Sequence, residues 1–359
     1  MLAIREASPL ELAGWDGLVQ RFDNHRIVHT RVWIDWLEAC GHGRPLYLIL
    51  ELDGQVVGCV PGLLVRLGFV RLFGSPLPGW QTPSMGPVFD RRRVTTQELA
   101  ASLIVFLERR HGVQHIELMG NDFEAEAMAR LGFAGEQVPT FRARLFPDDG
   151  ARVLRGFKES ARRNVRRGEK LGLVVRFDDD DERFVDEHYS QLREVFVRGG
   201  NTVPFGKRRV LEFFRHMRAA DRLVAVSVWL PGDGPCIASG MFTVAARELL
   251  LWSWSHRTRY CWYRPTELLT WRVIQHALGA GCDTFDLMGL GDFKRKFGAE
   301  VDLSKTRWVR SRHKWLNVAR GAVAKAHRWQ QLVRGHVARV MMFGVGPASP
   351  IHLDTASGE

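Results

Sequence analysis

The stretch from Thr284 to Gly298, TFDLMGLGDFKRKFG, holds the side chains of this sequence that are best suited to chemistry. An apolar strand runs into a glycine-rich turn, and active-site groups often lie at such strand ends. In this turn Lys294 could polarise an oxyanion or pair with a phosphate, and Phe293 could line a substrate pocket. Asp286 or Asp292 could accept a proton from an attacking amine. The alternative is a charged surface turn without a catalytic role.

The elements that must position this turn occur twice in the chain. At a fixed offset, Thr95 to Gly120 aligns with Arg264 to Gly289 without a gap. The pattern reads IELMGNDFE in the first copy and FDLMGLGDFK in the second, with one extra residue, so Glu124 takes the position of Lys294. A repeat of this length indicates duplication of a whole domain.

Each copy predicts the same order of elements: a helical stretch, a strand pair, a further strand, a helix and a strand ending in Met-Gly. Asp53-Gly54 predicts a tight hairpin between the first pair of strands. We therefore expect an α/β fold with mixed α+β sheets, made of two tandem units. The predicted domains are residues 1–147, residues 148–310, and a basic helix with a flexible tail over residues 311–359.

Two segments of the second copy are suited to binding anions. The helix predicted to start at Pro265-Thr266 follows a central strand, so its N–H groups and dipole could hold a phosphate. Upstream, Arg162, Arg163 and Arg166 surround Asn164 beside an apolar face that runs from Val153 to Leu171. This basic face could grip a diphosphate, a CoA phosphate or tRNA. The alternatives are a packing helix and a solvated basic surface.

Composition narrows the chemistry. The chain has 359 residues, 45% of them hydrophobic, and a net charge of +11 that favours anionic partners. Its five cysteines form no CxxC pair, and we find no GxxxxGK[ST], HExxH or GxSxG motif and no apolar run of membrane-spanning length. The scattered cysteines indicate neither a disulfide framework nor a structural zinc site, so we expect a cytoplasmic protein without a metal.

The C-terminal region is basic and amphipathic. Between Ser304 and Asp354 there is no acidic residue, while Lys and Arg accumulate and apolar residues such as Trp315 and Trp329 recur every three or four positions. This pattern is typical of a helix that contacts an anionic membrane surface, here the inner face of the membrane, or of a helix packed on its own domain.

Three blocks of the second copy resemble the GNAT-like acyltransferase superfamily, in particular FemAB-like and CelD-like (cellulose-biosynthesis-associated) proteins. They are the turn at 284–298, the arginine-rich segment at 157–175 and the tyrosine-proline helix at 263–281. The resemblance implies two GNAT-type units, with Lys294 stabilising charge on the donor carbonyl. It implies that the first copy lacks the transfer site and serves in acceptor binding or structural support.

From these features we expect an N-acyltransferase that moves an acyl group from acyl-CoA to an amine of a cell-envelope, polysaccharide or amino-acid-derived acceptor. The residues that we assign to substrate binding are Phe293, Tyr263, Trp254, Arg162, Arg163, Asn164 and Arg166. Those that we assign to acyl-CoA binding are Arg259, Pro265 and Thr266. One alternative is a FemAB-like ligase that forms peptide bonds from aminoacyl-tRNA. Another is a non-catalytic scaffold in polysaccharide biosynthesis or export.

Overall fold

The computed structural model describes residues 2–177, 182–318, 320–322 and 334. The described residues form two compact units. Unit 1 consists of residues 2–139 and 303–322, and unit 2 consists of residues 140–302. Beyond residue 322, the predicted basic helix and tail lie outside the described residues, apart from position 334.

Unit 1 is a mixed α/β domain in which helices lie beside one sheet. Its elements are β1 (Ala3–Glu6), α1 (Pro9–Ala13), α2 (Trp15–Val19), a 3₁₀ turn (Ile27–His29), α3 (Arg31–Ala39), β2 (Arg44–Leu52), β3 (Gln55–Leu67), β4 (Val70–Ser75), β5 (Val88–Phe89), α4 (Thr96–His111), β6 (His115–Gly120), α5 (Ala125–Arg130), β7 (Ala134–Gln137) and β15 (Thr306–Ser311). The strand order is β1-β2-β3-β4-β6-β15-β7, with β5 paired to β3. The β4–β6 pair is parallel, and α4 connects its two strands.

Unit 2 repeats this plan. Its elements are β8 (Thr140–Arg144), α6 (Gly150–Gly156), α7 (Glu159–Lys170), β9 (Val174–Phe177), α8 (Arg183–Arg198), α9 (Lys207–Ala219), β10 (Leu223–Trp229), β11 (Cys236–Ala245), β12 (Glu248–His256), a 3₁₀ segment (Thr258–Tyr263), α10 (Pro265–Gly279), β13 (Thr284–Asp286), a 3₁₀ turn (Asp292–Phe297) and β14 (Glu300–Asp302). The strand order is β14-β8-β13-β12-β11-β10-β9, and α10 connects the parallel pair β12–β13. The predicted class, a mixed α/β fold of repeated units, is confirmed.

The units differ from the predicted ranges at the strands that complete each sheet. β8 precedes residue 148, yet it lies between β13 and β14 of unit 2. β15 follows β14 in the chain, yet it lies between β6 and β7 of unit 1. Backbone pairing decides this membership, because each strand forms two antiparallel ladders within the sheet that it joins. The strand that follows the first repeat, β8, thus completes the sheet of unit 2. The strand that follows the second repeat, β15, completes the sheet of unit 1.

Local sequence explains the main turns and helix ends. Asp53 and Gly54 have φ of 51° and 74°, the positive values required by the two-residue hairpin that the sequence predicts. Helix α4 begins with a capping box in which Thr95 and Glu98 bond each other's backbone N–H, and it ends at Gly112 in the left-handed region. α10 starts at Pro265 as expected.

The arginine-rich segment differs from the single helix that its pattern predicts. It forms two helices, α6 and α7, because the backbone at Phe157 is extended, with φ −66° and ψ 147°. Val153, Phe157, Ala161 and Val165 are nevertheless buried together in the core of unit 2, so the predicted apolar face is present. Within the described part of the chain, no helix is long and apolar enough to cross a bilayer.

Removal of a core side chain from β15 tests its role in unit 1. Trp308 is 6% exposed and belongs to the unit 1 core. We expect Trp308→Ala to lower the free energy of unfolding by about 3–5 kcal/mol, because it leaves a large cavity. Trp315→Ala, in the same segment but 48% exposed, is the control and should change it by less than about 1 kcal/mol. Equal urea midpoints for the two variants would contradict this placement of β15.

Candidate active site

The turn after β13 is built around the ammonium group of Lys294. Its Nζ donates to the carbonyl oxygen of Met288 and, at 3.3 Å, to those of Gly289 and Leu290. These three bonds match the three donors of an ammonium group. Burial lowers the pKa of Lys294 to about 8, although the charge of Asp286 acts to raise it. The lysine is therefore a partly buried cation whose charge is lost in a mildly alkaline range.

An unusual backbone brings these carbonyls together. Met288, Gly289 and Gly291 have φ of 49°, 59° and 147°, and such values are strained at a residue other than glycine. Asp286, which is fully buried, accepts a hydrogen bond from the Met288 backbone N–H at 2.9 Å and another from the hydroxyl of Thr140 at 3.1 Å. Its carboxylate thus holds the strained turn in place.

The other predicted proton acceptor, Asp292, lies on the surface. Its side chain is 79% exposed and forms an ion pair with Arg295 three residues later. The structure therefore brings Lys294 and Asp286 together, whereas Asp292 begins the 3₁₀ turn at the solvent side.

A buried carboxylate outside the predicted set of site residues connects this turn to two helices. Glu267, in the first turn of α10, is 2% exposed and accepts from Asn164 of α7 at 2.9 Å. It also pairs with Lys296 at 3.4 Å. The helices approach closely here, because a Cβ at Gly168 would lie 3.1 Å from the side chain of Leu268. Glu267 therefore joins α7, α10 and the Lys294 turn.

Aromatic rings pack beside this connection. Phe293 makes edge contacts with Trp254 of β12, at 5.8 Å between centroids, and with Phe297 at 5.4 Å. The Lys296 ammonium lies 4.5 Å from the Phe293 ring centre. Phe293 is 37% exposed, so part of its ring faces solvent. Two of the residues predicted to bind substrate, Phe293 and Trp254, are thus in contact.

The start of α10 is buried and lacks a side-chain cap. Pro265 and Thr266 are its first residues, both buried, and the N-cap residue Arg264 makes no capping hydrogen bond. A buried helix start without a cap is uncommon, and a bound phosphate would satisfy its N–H groups. This helix start could hold a phosphate group.

The segment before α10 carries aromatic and basic side chains. Tyr263 packs against Trp262 at 3.8 Å between ring centres, and Arg167 of α7 lies over the Trp262 ring at 5.3 Å. Arg259 lies over Tyr260 at 5.4 Å. These contacts place the predicted residues Tyr263 and Arg259 on one short segment that leads into the uncapped helix.

The arginines of α7 divide into two groups. Arg162 donates to the carbonyl oxygens of Arg155 and Phe157, at 2.9 and 2.5 Å, and so secures the break between α6 and α7. Arg163 and Arg166 are exposed to solvent. Arg162 therefore has a structural contact, whereas Arg163 and Arg166 lie on the surface.

The corresponding turn of unit 1 lacks these features. Glu124, at the position of Lys294, is the N-cap residue of α5, and Glu98, at the position of Glu267, forms the exposed capping box of α4. Unit 1 instead has a cavity of about 390 Å³. Its polar lining consists of Arg21, Asp23, Asn24, Asp90, Arg91, Arg92 and Arg93.

Unit 1 also contains a buried charge cluster on the β6–β15 pair. Glu117 accepts from Arg307 at 3.0 Å, Arg320 at 2.8 Å and His115 at 3.0 Å. Burial alone would raise the pKa of Glu117, but the hydrogen bonds from His115 and Arg320 lower it to about 2. This cluster fixes the segment after β15 to the sheet. No group of three or more His, Cys, Asp or Glu among the described residues is arranged to hold a metal ion.

The fold and the turn define a class: tandem GNAT-type units of which the second carries the candidate site. Residues 155–297 match the acetyltransferase (GNAT) domain family. The match shows a GNAT-type domain within unit 2, and the fold of the chain is similar to that of GNAT-like acyltransferases. Its sequence matches no curated protein.

Solved structures share this fold at low sequence identity. FemX is similar at a TM-score of 0.69 and 12% identity, over 85% of this chain and 96% of FemX. A conserved protein of unknown function from Bacteroides thetaiotaomicron has a TM-score of 0.58 and 11% identity, over 87% of this chain and 100% of its own. The C-terminal domain of a candidate lysylphosphatidylglycerol synthetase from Agrobacterium fabrum has a TM-score of 0.50 and 14% identity, over 87% and 96%.

Replacement of the connecting carboxylate tests its structural role. We expect Glu267→Gln to lower the free energy of unfolding by about 1–3 kcal/mol, because a charged hydrogen bond to Lys296 is lost inside the protein. Glu98→Gln, at the equivalent position of unit 1, should change it by less than about 0.5 kcal/mol, since Gln also completes a capping box. Urea unfolding of both variants measures the difference. A loss no larger for Glu267→Gln than for Glu98→Gln would contradict the role.

Proposed function

We propose that the chain is an N-acyltransferase that moves an acyl group from acyl-CoA to an amine of a cell-envelope, polysaccharide or amino-acid-derived acceptor. One observation carries the proposal: Glu267 couples the uncapped start of α10 to the turn that holds Lys294. A phosphate-binding helix end and a cation at a strand end are thereby parts of one framework within the GNAT-matching segment. Such a framework suits binding of the donor and stabilisation of charge on its carbonyl.

Lys294 supplies the charge in this mechanism. Two of its three hydrogen bonds are 3.3 Å long, beyond the usual range for an N–H donor, and can be exchanged for a shorter bond to an oxyanion. As the deprotonated amine attacks the thioester carbonyl, an N–C bond forms and negative charge develops on the carbonyl oxygen. The C–S bond then breaks, and the departing thiolate of CoA takes up the proton that the nitrogen loses. Asp286 acts as a positioning residue, because its oxygen binds the backbone of the turn.

The acceptor's anionic part has a candidate site in unit 1. Of the charged residues that line the 390 Å³ cavity, four are arginines and two are aspartates. This excess of positive charge suits a phosphate or carboxylate of the acceptor. Phe22, Val56, Val57 and Phe89 add apolar lining that suits a sugar or hydrocarbon portion.

Substitution of Lys294 tests its role. We expect Lys294→Ala to lower turnover by about 10²-fold, because a preorganised donor to the oxyanion is lost. In the wild type, kcat should fall as the pH rises through about 8, where the ammonium loses its proton. Lys294→Arg should retain part of the activity and move this fall to higher pH, because arginine stays charged.

The direction of the pH profile distinguishes two roles for the lysine. A general base would work as the neutral amine, so kcat would rise through pH 8 instead of falling. Asp292→Asn is the matched control in the same turn, because the Asp292 side chain is exposed, and its turnover should stay within about threefold of the wild type. Full activity of Lys294→Ala would remove the lysine from the mechanism.

A binding screen tests the donor. Ligands that bind only the folded state raise the melting temperature, and saturation at 100 times Kd adds about 2.7 kcal/mol. We expect acetyl-CoA or a longer acyl-CoA to raise the melting temperature of the full chain. Absence of a shift with every acyl-CoA would contradict the proposed donor.

A FemAB-like ligase that uses aminoacyl-tRNA is the second candidate, favoured by the exposed arginines Arg163 and Arg166 beside the Arg167–Trp262 contact. Such a protein would bind tRNA with an affinity that falls steeply with salt. In the same screen, Arg163→Gln/Arg166→Gln would weaken tRNA binding. Arg130→Gln, an exposed arginine of unit 1, is the control.

A further inference from the structure

Unit 1 exposes apolar side chains on two adjoining segments. Leu67 and Phe69 lie at the β3–β4 hairpin, 63% and 78% exposed. Trp315 and Val318 lie on the helical residues 314–318 after β15, 48% and 74% exposed. The rings of Phe69 and Trp315 are 6.1 Å apart between centroids, so the two segments meet. We call these four residues the hairpin patch.

The fold of the hairpin does not require these side chains. Gly68, with φ of 60°, supplies the left-handed residue that a two-residue turn needs. The other turn position, occupied by Phe69, normally carries a polar residue because it faces water. Although the Phe69 ring meets Trp315, the residue is 78% exposed, so most of its apolar surface is available for a contact outside the chain.

The helical segment is attached to unit 1 by its opposite side. Leu316 is buried, and Arg320 forms hydrogen bonds with Glu117 and Glu136 of the sheet. Residues four apart share one face of a helix, so Leu316 and Arg320 face the sheet together. Trp315 and Val318 are held on the outer side by this attachment.

Positive charge surrounds the hairpin patch. Residues 64–71 and 311–318 contain Arg66, Arg71, Arg312, His313 and Lys314 and no aspartate or glutamate. The side chains of Arg66, Arg312 and Lys314 are on exposed residues. Aromatic and aliphatic side chains with basic neighbours are the combination that binds the interface of an anionic bilayer. A protein partner with an apolar surface would not account for the one-sided charge.

We propose that the hairpin patch inserts into the interfacial layer of an anionic lipid bilayer, with Arg66, Arg312 and Lys314 contacting the headgroups. This surface lies on unit 1 and is independent of the transfer chemistry assigned to unit 2. It attaches the protein to a membrane face through exposed side chains of unit 1. The anionic lipid headgroup is the partner, and the insertion of Leu67, Phe69 and Trp315 supplies the apolar part of the affinity.

Sedimentation with vesicles tests the proposal on the full chain. We expect binding to vesicles of phosphatidylcholine and phosphatidylglycerol, weaker binding to phosphatidylcholine alone, and a loss of affinity at about 0.5 M salt, where the Debye length is far below 10 Å. Leu67→Ser/Phe69→Ser should lower the partition coefficient by at least about tenfold. Arg66→Gln/Lys314→Gln should lower it by about fivefold for each charge removed, on anionic vesicles only.

Matched variants of unit 1 control for solubility and net charge. Leu10→Ser removes a leucine of α1 that is 83% exposed, more than Leu67, and Arg109→Gln/Arg110→Gln removes two exposed charges of α4. Both should bind vesicles like the wild type, and Phe69→Trp should retain binding. Wild-type protein that stays in the supernatant with anionic vesicles would overturn the proposal. Equal losses for the patch variants and their controls would overturn it as well, and unchanged melting temperatures exclude unfolding as the cause.

Discussion

The candidate site depends on a carboxylate that must stay paired inside the protein. Glu267 is withdrawn from water, and an unpaired buried charge is strongly destabilising, so its partners Asn164 and Lys296 are required. Asn164 belongs to α7 and Lys296 to the 3₁₀ turn after β13. Pairing with Glu267 therefore fixes the positions of both elements and of the side chains around the turn. Phe293 and the Lys294 turn precede Lys296 directly, and the uncapped helix start lies two residues before Glu267. The equivalent glutamate of the first repeat, Glu98, is exposed and forms the capping box of α4. The same position in the two repeats thus has two different structural roles.

The second constraint is the hydrogen bonding of the sheets. β8 and β15 each satisfy two neighbouring strands, and neither belongs to the sheet that the preceding repeat would suggest. The charge cluster of Glu117 also fixes the residues after β15 to the sheet, because Arg307 in β15 and Arg320 after it both donate to the same carboxylate. Because of that attachment, the Trp315 side chain lies on the side of the helical segment that faces solvent.

The sequence predicted the elements whose signals are local. The duplicated pattern, the hairpin at Asp53-Gly54 and the start of α10 at Pro265 depend on turn chemistry and periodicity, and they are present. The place of β15 in its sheet depends on pairing with β6 and β7, from which all of unit 2 separates it in the sequence. A short strand carries no sequence signal that specifies such distant partners. In the sequence, Glu267 stands out only because Glu98 occupies the same position in the first repeat. An acidic residue in an otherwise apolar helix start could, however, have indicated a buried carboxylate with a partner. The carbonyl contacts of Lys294 follow from positive φ at Met288, and the residue type does not favour that conformation.

The exchange of final strands has a consequence for biosynthesis. β7 lies at the end of its sheet, and in the described part of the chain its strand partner is β15, which is translated more than a hundred residues later. While the ribosome makes unit 2, the nascent first unit presents the unpaired edges of β6 and β7, which are open to wrong partners. Closure of such a long loop is slow compared with local folding. The sheet of unit 1 can therefore be completed only after β15, and with it all of unit 2, has been translated.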